Sequence, residues 1–352
     1  MVTSTVTYPF STDPVLKEEY RNPWNYLRMG KLLEDLDSLA GSVAFSHCDD
    51  GLPNTRPPML VTASVDAIHL RHKLSMDNDM EVSGRVVWTG KSALDIQMEL
   101  TQKQYGDEAS LVALFTFVAR DPLDHQAVAI NPLRPAISAD EALFAERQRV
   151  ADERRAARKA ASQGPSSPGA EEHAARRWAD SQLAEARAII DLPALAPADA
   201  ILMGATAMHN TFTCQPQVRN MSGRVFGGFL MRRAFELAFA TAYTFAGWRP
   251  QFVRCEEVTF QRPVEVGDLL QLRCNVMHTD ARHDLGLGTI HTQVTASVTK
   301  PEAVCSTVTN TFHFVFSTEL AGFRRQGCRL LRRVLPATEE EARRIWAFCP
   351  VA

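Results

Sequence analysis

The chain lacks the sequence features that mark several large classes of protein. Its seven cysteines lie at positions 48, 214, 255, 274, 305, 328 and 349. They form no CxxC pair and no cluster with histidine at metal-ligand spacing, so we expect reduced thiols, no disulfide framework and no metal site. No apolar run reaches the roughly 18 residues that a bilayer crossing needs, so we expect no membrane span.

The charge balance and the N-terminus narrow the partners and the compartment. The chain has 38 Lys and Arg against 41 Asp and Glu, which gives a formal net charge of -3. Because there is no basic excess, we expect no binding to nucleic acid or to an anionic membrane. The odd number of dispersed cysteines indicates an intracellular protein. The N-terminal segment shows neither a signal-peptide core nor an Arg-rich amphipathic pattern, so it carries no recognisable address and does not resolve a mitochondrial from a cytoplasmic location.

The most informative pattern lies between residues 220 and 240. A polar loop containing Asn220 and Gly223 leads into the turn Phe226-Gly227-Gly228. A segment with apolar residues at helical spacing follows, with Phe229, Leu230, Ala234, Leu237, Ala238 and Ala242. Paired glycines at a helix start let another backbone or a ligand approach the free amides of the first turn, and those amides favour negative charge.

The same pattern occurs earlier in the chain, which indicates an internal repeat. An offset of 198 positions places Asn22 on Asn220, Gly30 on Gly228, Leu32 on Leu230 and Leu39 on Leu237. The first copy predicts an amphipathic helix, with acidic residues opposite the apolar face formed by Leu32, Leu33, Leu36, Leu39 and Ala40. At the same offset, Asp37 falls on Phe235. One copy therefore has a carboxylate where the other has an aromatic ring.

Each copy predicts one helix followed by an antiparallel sheet, so the fold class is α+β. Alternating apolar and β-branched residues predict strands at 59–70, 80–88, 93–101 and 110–119, and again at 252–260, 269–279, 289–299 and 306–316. Residues 209–228 are expected to form a loop before the second helix. The predicted domains are an irregular lead-in (1–21), a first unit (22–130), a helical connector (131–200), a second unit (201–320) and a C-terminal extension (321–352). We expect the connector's two Ala/Arg/Glu-rich helices to be solvated, and a short helix near 339–346 to pack on the outside.

The motifs of both copies resemble a known family. Asn-x-x-Gly-x-x-Phe-Gly-Gly-x-Leu-Met, which begins at Asn220, resembles the hotdog-fold acyl-CoA thioesterases. The run from Val225 to Ala238 is most similar to the tandem-hotdog acyl-CoA thioesterase 9 group, and the run from Arg28 to Gly41 resembles that group's first domain. The resemblance covers about 22–125 and 205–318.

The resemblance implies a fold, an activity and a site. Two long helices, each wrapped by a curved antiparallel sheet, would pack side by side. An acyl-CoA would bind at the seam and be hydrolysed to a carboxylic acid and CoA. No cofactor is expected, because CoA is part of the substrate. The catalytic pair would be Asp37 in one unit and Asn220 in the other. Asp37 could act as general base or as nucleophile, and Asn220 could bind the attacking water. Tandem hotdog proteins of this kind commonly assemble further, so the resemblance also implies a possible homo-oligomer.

Other residues at this site have weaker support. The oxyanion donor could be the amide of Gly30 or those of Gly227 and Gly228, and the sequence leaves both open. Phe226, Arg232 and Arg233 could contact substrate, although an ion pair between Arg232 and Glu236 is the favoured arrangement for these arginines. The mirror-image pair, Asn22 with Phe235, has no carboxylate, so we expect one working site and one inactive one.

Simpler readings and other functions stand beside this hypothesis. Asp37 could belong to a solvated face with Glu34 and Asp35, and Asn220 could be only a turn residue. A hotdog hydratase or dehydratase acting on acyl thioesters would need a histidine that neither motif supplies. A non-catalytic acyl-CoA binding protein is the third alternative. The absence of a Gly-x-Ser-x-Gly motif argues against a serine hydrolase.

Overall fold

The structure is a computed structural model that describes residues 3–49, 51–52, 57–106, 108–135, 137–161, 170–220, 223–282, 285–320 and 331–348. Its helices are α1 (Pro14–Tyr20), α2 (Met29–Cys48), α3 (Ser138–Ala161), α4 (Ala170–Asp191), α5 (Gly227–Ala246) and α6 (Glu339–Phe348). Within the described ranges, no helix combines the length and apolarity that a bilayer crossing requires.

The strands fall into two groups along the chain. The first group is β1 (Thr3–Tyr8), β2 (Met59–Val65), β3 (Ile68–Leu70), β4 (Met80–Thr89), β5 (Ala93–Thr101) and β6 (Leu111–Arg120). The second is β7 (Ala200–Leu202), β8 (Met208–Thr213), β9 (Gln251–Cys255), β10 (Val258–Thr259), β11 (Leu269–Arg282), β12 (Leu287–Lys300), β13 (Cys305–Glu319) and β14 (Arg333–Leu335). All eight strand regions predicted from the alternation are present.

Twelve of these strands form one antiparallel sheet, and ten of them follow the order β1-β4-β5-β6-β3-β9-β13-β12-β11-β8. The other two are β2, which pairs with β6, and β10, which pairs with β2. The two halves of the sheet join where β3 pairs with β9, aligning Ile68 with Cys255. They also join where β2 pairs with β10, aligning Val65 with Val258. β7 and β14 form a separate parallel pair. The sheet is therefore continuous across the repeat.

The core lies between the sheet and the two long helices. In β6 every second residue is buried, as the period of a strand with one covered face requires. The inward residues of the first half pack around α2, where Leu32, Leu33 and Leu36 have no exposed surface. In the second half, β13 turns Phe312, Phe314 and Phe316 inward, within the same core as α5. The predicted α+β class, with two helix-and-sheet units, is confirmed.

Helices α2 and α5 cross closely because each has a glycine at the contact. A Cβ on Gly228 would lie 2.9 Å from the backbone oxygen of Glu34, and one on Gly30 would lie 3.4 Å from that of Arg232. These two contacts are equivalent under the 198-residue offset. Glu34 and Arg232 are also equivalent, and their side chains form an ion pair of 2.7 Å. The repeat found in the sequence is thus an approximate twofold in the structure, with this ion pair close to its axis.

Two expectations about irregular segments were wrong. Residues 1–21 do not form an irregular lead-in, because β1 pairs with β4 at the sheet edge and α1 begins at an Asp13 cap. Phe10 and Tyr20 anchor this segment in the core. The 209–228 stretch also contains β8, which is the opposite edge strand and pairs with β11. Edge strands have only one partner and half-exposed patterns, so their alternation is weak in the sequence.

The connector is less solvated than its charge pattern suggested. Arg147 in α3 is only 4% exposed. It forms 2.7 Å ion pairs with Asp66, in the connection between β2 and β3, and with Asp95 in β5. Because α3 docks on the sheet through these buried pairs, the interpretation of solvated connector helices was wrong for α3. The exact domain boundaries stay a prediction.

The predicted C-terminal helix is confirmed as α6. Ile345 is buried, and the rings of Trp178 in α4 and Trp346 in α6 lie 5.6 Å apart. The connector and the C-terminal extension therefore pack against each other outside the sheet.

The helix crossing generates a test. We expect Gly228→Ala to cost about 1–3 kcal/mol of stability, because its Cβ meets backbone that cannot move aside. Gly30→Ala should cost less, since its nearest contacts are 3.3 Å or longer. Gly204→Ala is the control, because a Cβ there meets no atom within 4 Å. Thermal melting of the three variants measures the order. A Gly228→Ala protein that melts like the Gly204→Ala control would contradict the close crossing.

Candidate active site

Asp37 lies on the buried face of α2 and has no exposed surface. Its helical neighbours Leu33 and Ala40, one turn away on either side, are also fully buried. The carboxylate accepts two hydrogen bonds, from the Thr62 hydroxyl to Oδ1 at 3.0 Å and from the Gly228 amide to Oδ2 at 2.6 Å. Asp37 is therefore not part of a solvated acidic face.

The bond from Gly228 joins the two halves of the repeat. Gly228 is in the first turn of α5, where amides have no acceptor within their own helix. The positive end of the helix dipole therefore faces the Asp37 carboxylate. Gly227 makes the approach possible, because a Cβ there would lie 3.0 Å from Asp37 Oδ2. The Gly227-Gly228 pair is needed for space around the carboxylate.

The surroundings of Asp37 tune its acidity in opposing directions. Burial raises the pKa of Asp37 to about 6, and the nearby charge of Glu34 acts in the same direction. The hydrogen bonds from Thr62 and Gly228 stabilise the ionised form and lower the pKa. The result is a carboxylate that is mostly ionised at neutral pH and is more basic than an exposed aspartate.

Asn220 lies in the turn before α5 and has a local bonding role. Its side-chain Oδ1 accepts a hydrogen bond from the Arg224 backbone amide at 3.1 Å, and its backbone amide donates to the Arg224 carbonyl at 2.6 Å. The Asp37 carboxylate accepts hydrogen bonds from Thr62 and Gly228. These two bonds hold the turn, and the catalytic role of Asn220 stays a prediction.

Asn22 adopts the same turn in the first half. Its side-chain Oδ1 accepts a hydrogen bond from the Tyr26 backbone amide at 3.0 Å, and its backbone amide donates to the Tyr26 carbonyl at 2.8 Å. The third residue after each asparagine has a positive φ, 63° at Asn25 and 82° at Gly223. The described residues of the two loops thus make equivalent turn contacts around equivalent asparagines.

The structure separates the candidate oxyanion donors. Gly227 and Gly228 adjoin Asp37, whereas a Cβ on Gly30 would lie 3.3 Å from Cδ1 of Phe235. Gly30 therefore occupies the Phe235 side of the seam. Of the two glycines beside Asp37, Gly228 already donates its amide to the carboxylate.

The weaker candidates make contacts within the protein. Arg232 pairs with Glu236 at 3.3 Å, as predicted, and Arg233 pairs with Glu236 at 3.1 Å. Arg233 also lies over the ring of Phe212, 5.0 Å from its centroid. Phe226 occupies the N-cap position of α5, where its side chain makes no capping hydrogen bond. Substrate contacts by Phe226, Arg232 and Arg233 stay predictions.

The equivalent position in the second half is an aromatic cluster. The Phe235 ring lies 5.4 Å from Phe252, 5.6 Å from Phe314 and 5.8 Å from Phe316. In the sheet, Phe252 is opposite Phe316. This register corresponds to that of Thr62 opposite Phe117. Two polar groups in one half, Asp37 and Thr62, are thus replaced by two phenylalanines in the other.

Thr62 was missed by the sequence comparison for a structural reason. Ten residues separate α2 from β2, but only four separate α5 from β9. The offset that aligns the helices therefore does not align the strands that follow, and Thr62 corresponds to Phe252 only after a shift to 190 positions. Aligning the strands separately from the helices would have found it.

Among the described residues, no group of three or more His, Cys, Asp or Glu is placed to hold a metal ion.

Comparisons with known proteins show which family the chain resembles. No protein-family model matches the chain. The chain is 44% identical to acyl-coenzyme A thioesterase 2, chloroplastic, of Humulus lupulus, over 97% of this chain and 78% of that protein. It is 45% identical to acyl-coenzyme A thioesterase 4, mitochondrial, of the same plant, over 97% of this chain and 64% of the relative. It is 36% identical to acyl-coenzyme A thioesterase 9, mitochondrial, of Homo sapiens, over 89% of this chain and 70% of that protein.

Solved structures share the fold at low sequence identity. A 12:0-ACP thioesterase from Umbellularia californica matches with a TM-score of 0.54 and 8% identity, over 90% of this chain and 94% of that one. An acyl-ACP thioesterase from Bacteroides thetaiotaomicron matches with a TM-score of 0.50 and 12% identity, over 89% and 97%. The fold and the site define a tandem hotdog protein with one buried carboxylate at the seam between its two units. By its sequence relatives, the chain belongs to the acyl-CoA thioesterase family, in the group of acyl-CoA thioesterase 9.

Burial of Asp37 predicts a pH-dependent effect on stability. Because the folded pKa of about 6 lies above the ordinary aspartate pKa of 3.8, folding favours the protonated acid. That stabilisation is complete below 3.8 and is lost as the pH rises through about 6. We therefore expect Asp37→Asn to be more stable than the wild type at pH 8, with a free energy of unfolding that is higher by up to about 3 kcal/mol. The variant should melt at a correspondingly higher temperature. The difference should shrink towards pH 4.

Melting curves between pH 4 and pH 8 measure this difference. Asp180→Asn is the matched control, since Asp180 is exposed on α4. A wild type that gains stability relative to Asp37→Asn as the pH rises would contradict the assigned environment of Asp37.

Proposed function

We propose that the protein hydrolyses acyl-CoA thioesters to a carboxylic acid and CoA at a single composite site. The observation that carries this proposal is the fully buried Asp37 carboxylate of one unit, held by the Gly228 amide that begins the helix of the other. The sequence relatives support the reaction class, because they are named acyl-CoA thioesterases. The substrate's thioester would lie at the seam, beside Asp37 and the Gly227-Gly228 turn.

The environment of Asp37 suits proton transfer from water. A pKa of about 6 leaves the carboxylate ionised at neutral pH and able to accept a proton. The water oxygen would then add to the thioester carbonyl carbon. Collapse of the tetrahedral intermediate would break the carbon–sulfur bond, and the CoA thiolate would take up the proton from Asp37. Direct attack by Asp37, with water hydrolysing the resulting anhydride, is the alternative that uses the same residues.

Gly227 is our proposed donor to the oxyanion. Its amide lies in the first turn of α5, next to the Gly228 amide, and it has no acceptor among the described residues. A first-turn amide backed by a helix dipole stabilises developing negative charge without reorganisation. Asn220 is our proposed anchor for the attacking water, because its turn leads directly into this helix.

The site must open to admit substrate, because Asp37 has no exposed surface. Two rings lie nearest the glycine pair. Cε1 of Phe226 would be 2.8 Å from a Cβ on Gly228, and Cζ of Phe260 would be 3.3 Å from one on Gly227. Both rings are partly exposed. We infer that the thioester displaces one or both of them, which would make Phe226 a substrate contact.

The alternatives have less support. A hydratase or dehydratase would require a histidine beside the carboxylate, whereas the Asp37 carboxylate accepts hydrogen bonds from Thr62 and Gly228.

The named relatives are chloroplastic or mitochondrial, which supports an intracellular location for this chain. The particular compartment, a homo-oligomeric state and the acyl chain length stay predictions.

The asparagine turns provide a matched test of the composite site. We expect Asp37→Asn to lower the rate of thiol release from acyl-CoA by at least about 100-fold, because the carboxylate is the proposed base. Asn220→Ala should also slow turnover, since it removes the proposed water anchor. Asn22→Ala removes the same turn contacts on the Phe235 side and should retain turnover. The assay is release of free CoA across a series of acyl chain lengths.

Three outcomes would count against the proposal. Wild-type turnover in Asp37→Asn would exclude Asp37 as base or nucleophile. Equal losses in Asn22→Ala and Asn220→Ala would mean that the asparagines act only through folding. Binding of acyl-CoA without any hydrolysis by the wild type would favour the non-catalytic alternative.

A further inference from the structure

A cavity lies on the Phe235 side of the seam, opposite Asp37 under the approximate twofold. Its volume of about 570 Å³ is in the range of small-molecule sites. Its lining comes from both halves of the protein: the 21–30 loop and residues 70–74 from the first, and residues 235–239 and 249–252 from the second. It is thus built from the same structural parts as the Asp37 site, in the mirror arrangement.

The floor of the cavity is aromatic. Phe235 and Phe252, which replace Asp37 and Thr62, form part of it, and their rings pack edge to face at 5.4 Å. The Trp24 ring lies 5.6 Å from Phe239, and both residues line the cavity. This floor carries no carboxylate, so it offers apolar contact where the other site offers a base.

The wall of the cavity has an excess of positive charge. Five cationic side chains line it: Arg21, Arg28, Arg71, Lys73 and Arg249. The lining has one carboxylate, that of Glu236, which is paired with Arg28 at 3.0 Å and also with two arginines of its own helix.

Three of the five cations have no carboxylate partner in the described part of the chain: Arg71, Lys73 and Arg249. Lys73 and Arg249 both lie over the ring of Tyr26, with their charged groups 4.0 Å and 4.8 Å from the ring centroid. The hydrogen bond that Lys73 donates to the Tyr26 hydroxyl at 2.8 Å lowers the pKa of that hydroxyl, and the charges of Lys73 and Arg249 act in the same direction. These cations are therefore available to an anionic ligand.

The start of α2 adds a further donor. The Gly30 amide is equivalent to the Gly228 amide that binds Asp37, and it has no acceptor among the described residues. It lies at the cavity wall, where the Phe235 ring takes the place of the carboxylate.

We propose that this cavity is a second, non-hydrolytic binding site for a ligand of the CoA class, whose phosphates meet Arg71, Lys73 and Arg249 and whose apolar part lies on the aromatic floor. The ligand class rests on the proposed function, because the cavity is the twofold mate of the thioester site. Hydrolysis does not occur here, since Phe235 and Phe252 stand where the other site has the carboxylate of Asp37 and the hydroxyl of Thr62. Glu236 cannot substitute, because three arginines hold it.

Titration calorimetry with S-hexyl-CoA, a thioether that cannot be hydrolysed, tests this proposal. The double variant Arg71→Glu/Arg249→Glu should bind one equivalent fewer per chain than the wild type. The matched control is Arg155→Glu/Arg343→Glu, which makes the same charge change at two arginines that are 79% exposed. It should bind like the wild type. Equal stoichiometry in the wild type and the cavity variant would overturn the proposal.

Further arms keep the test independent of folding and of catalysis. Trp24→Ala, which removes a ring of the floor and leaves all five cations in place, should weaken the same equivalent at least tenfold. Free CoA should displace the ligand from the cavity, and displacement by hexanoate but not by CoA would contradict the ligand class. If the cavity variant loses one equivalent while Asp37→Asn hydrolyses acyl-CoA normally, the proposed catalytic site fails and the second site stands.

Discussion

The close crossing of α2 and α5 is the constraint on which the rest of the structure depends. Gly228 allows its backbone to lie against Glu34, and this approach brings its amide to 2.6 Å from the Asp37 carboxylate. Neither unit contains both groups, because the carboxylate is on one helix and the amide begins the other. The sheet holds the same geometry from outside, through the paired junctions of β3 with β9 and β2 with β10.

Joining the two units in one chain allows equivalent positions to differ. Glu34 and Arg232 meet near the approximate axis as an ion pair, whereas two identical copies would place like charges together there. The same freedom separates the two sides of the seam. One side keeps Asp37 and Thr62, which provide a base and a hydrogen bond. The other has Phe235 and Phe252, which fill the equivalent space with rings and leave an aromatic cavity with cationic walls.

The sequence predicted the elements that have strong periodicity, namely both long helices, the eight strand regions and the repeat. It also predicted the contrast between Asp37 and Phe235, since one offset aligns the helices. It did not predict β1 and β8, because edge strands are only half covered, or Thr62, because the two helix-to-strand connections differ in length. The burial of Arg147 was missed because its partners, Asp66 and Asp95, are distant in sequence.

The central claim is that one buried carboxylate, Asp37, drives hydrolysis. The pH dependence of kcat/KM for acyl-CoA hydrolysis tests it most directly, because the pKa of Asp37 is raised to about 6 by burial. Activity should rise with pH through one ionisation near pH 6, and this ionisation should be missing from any residual activity of Asp37→Asn. A profile that stays flat down to pH 4.5, or that keeps the same ionisation in Asp37→Asn, would contradict the account.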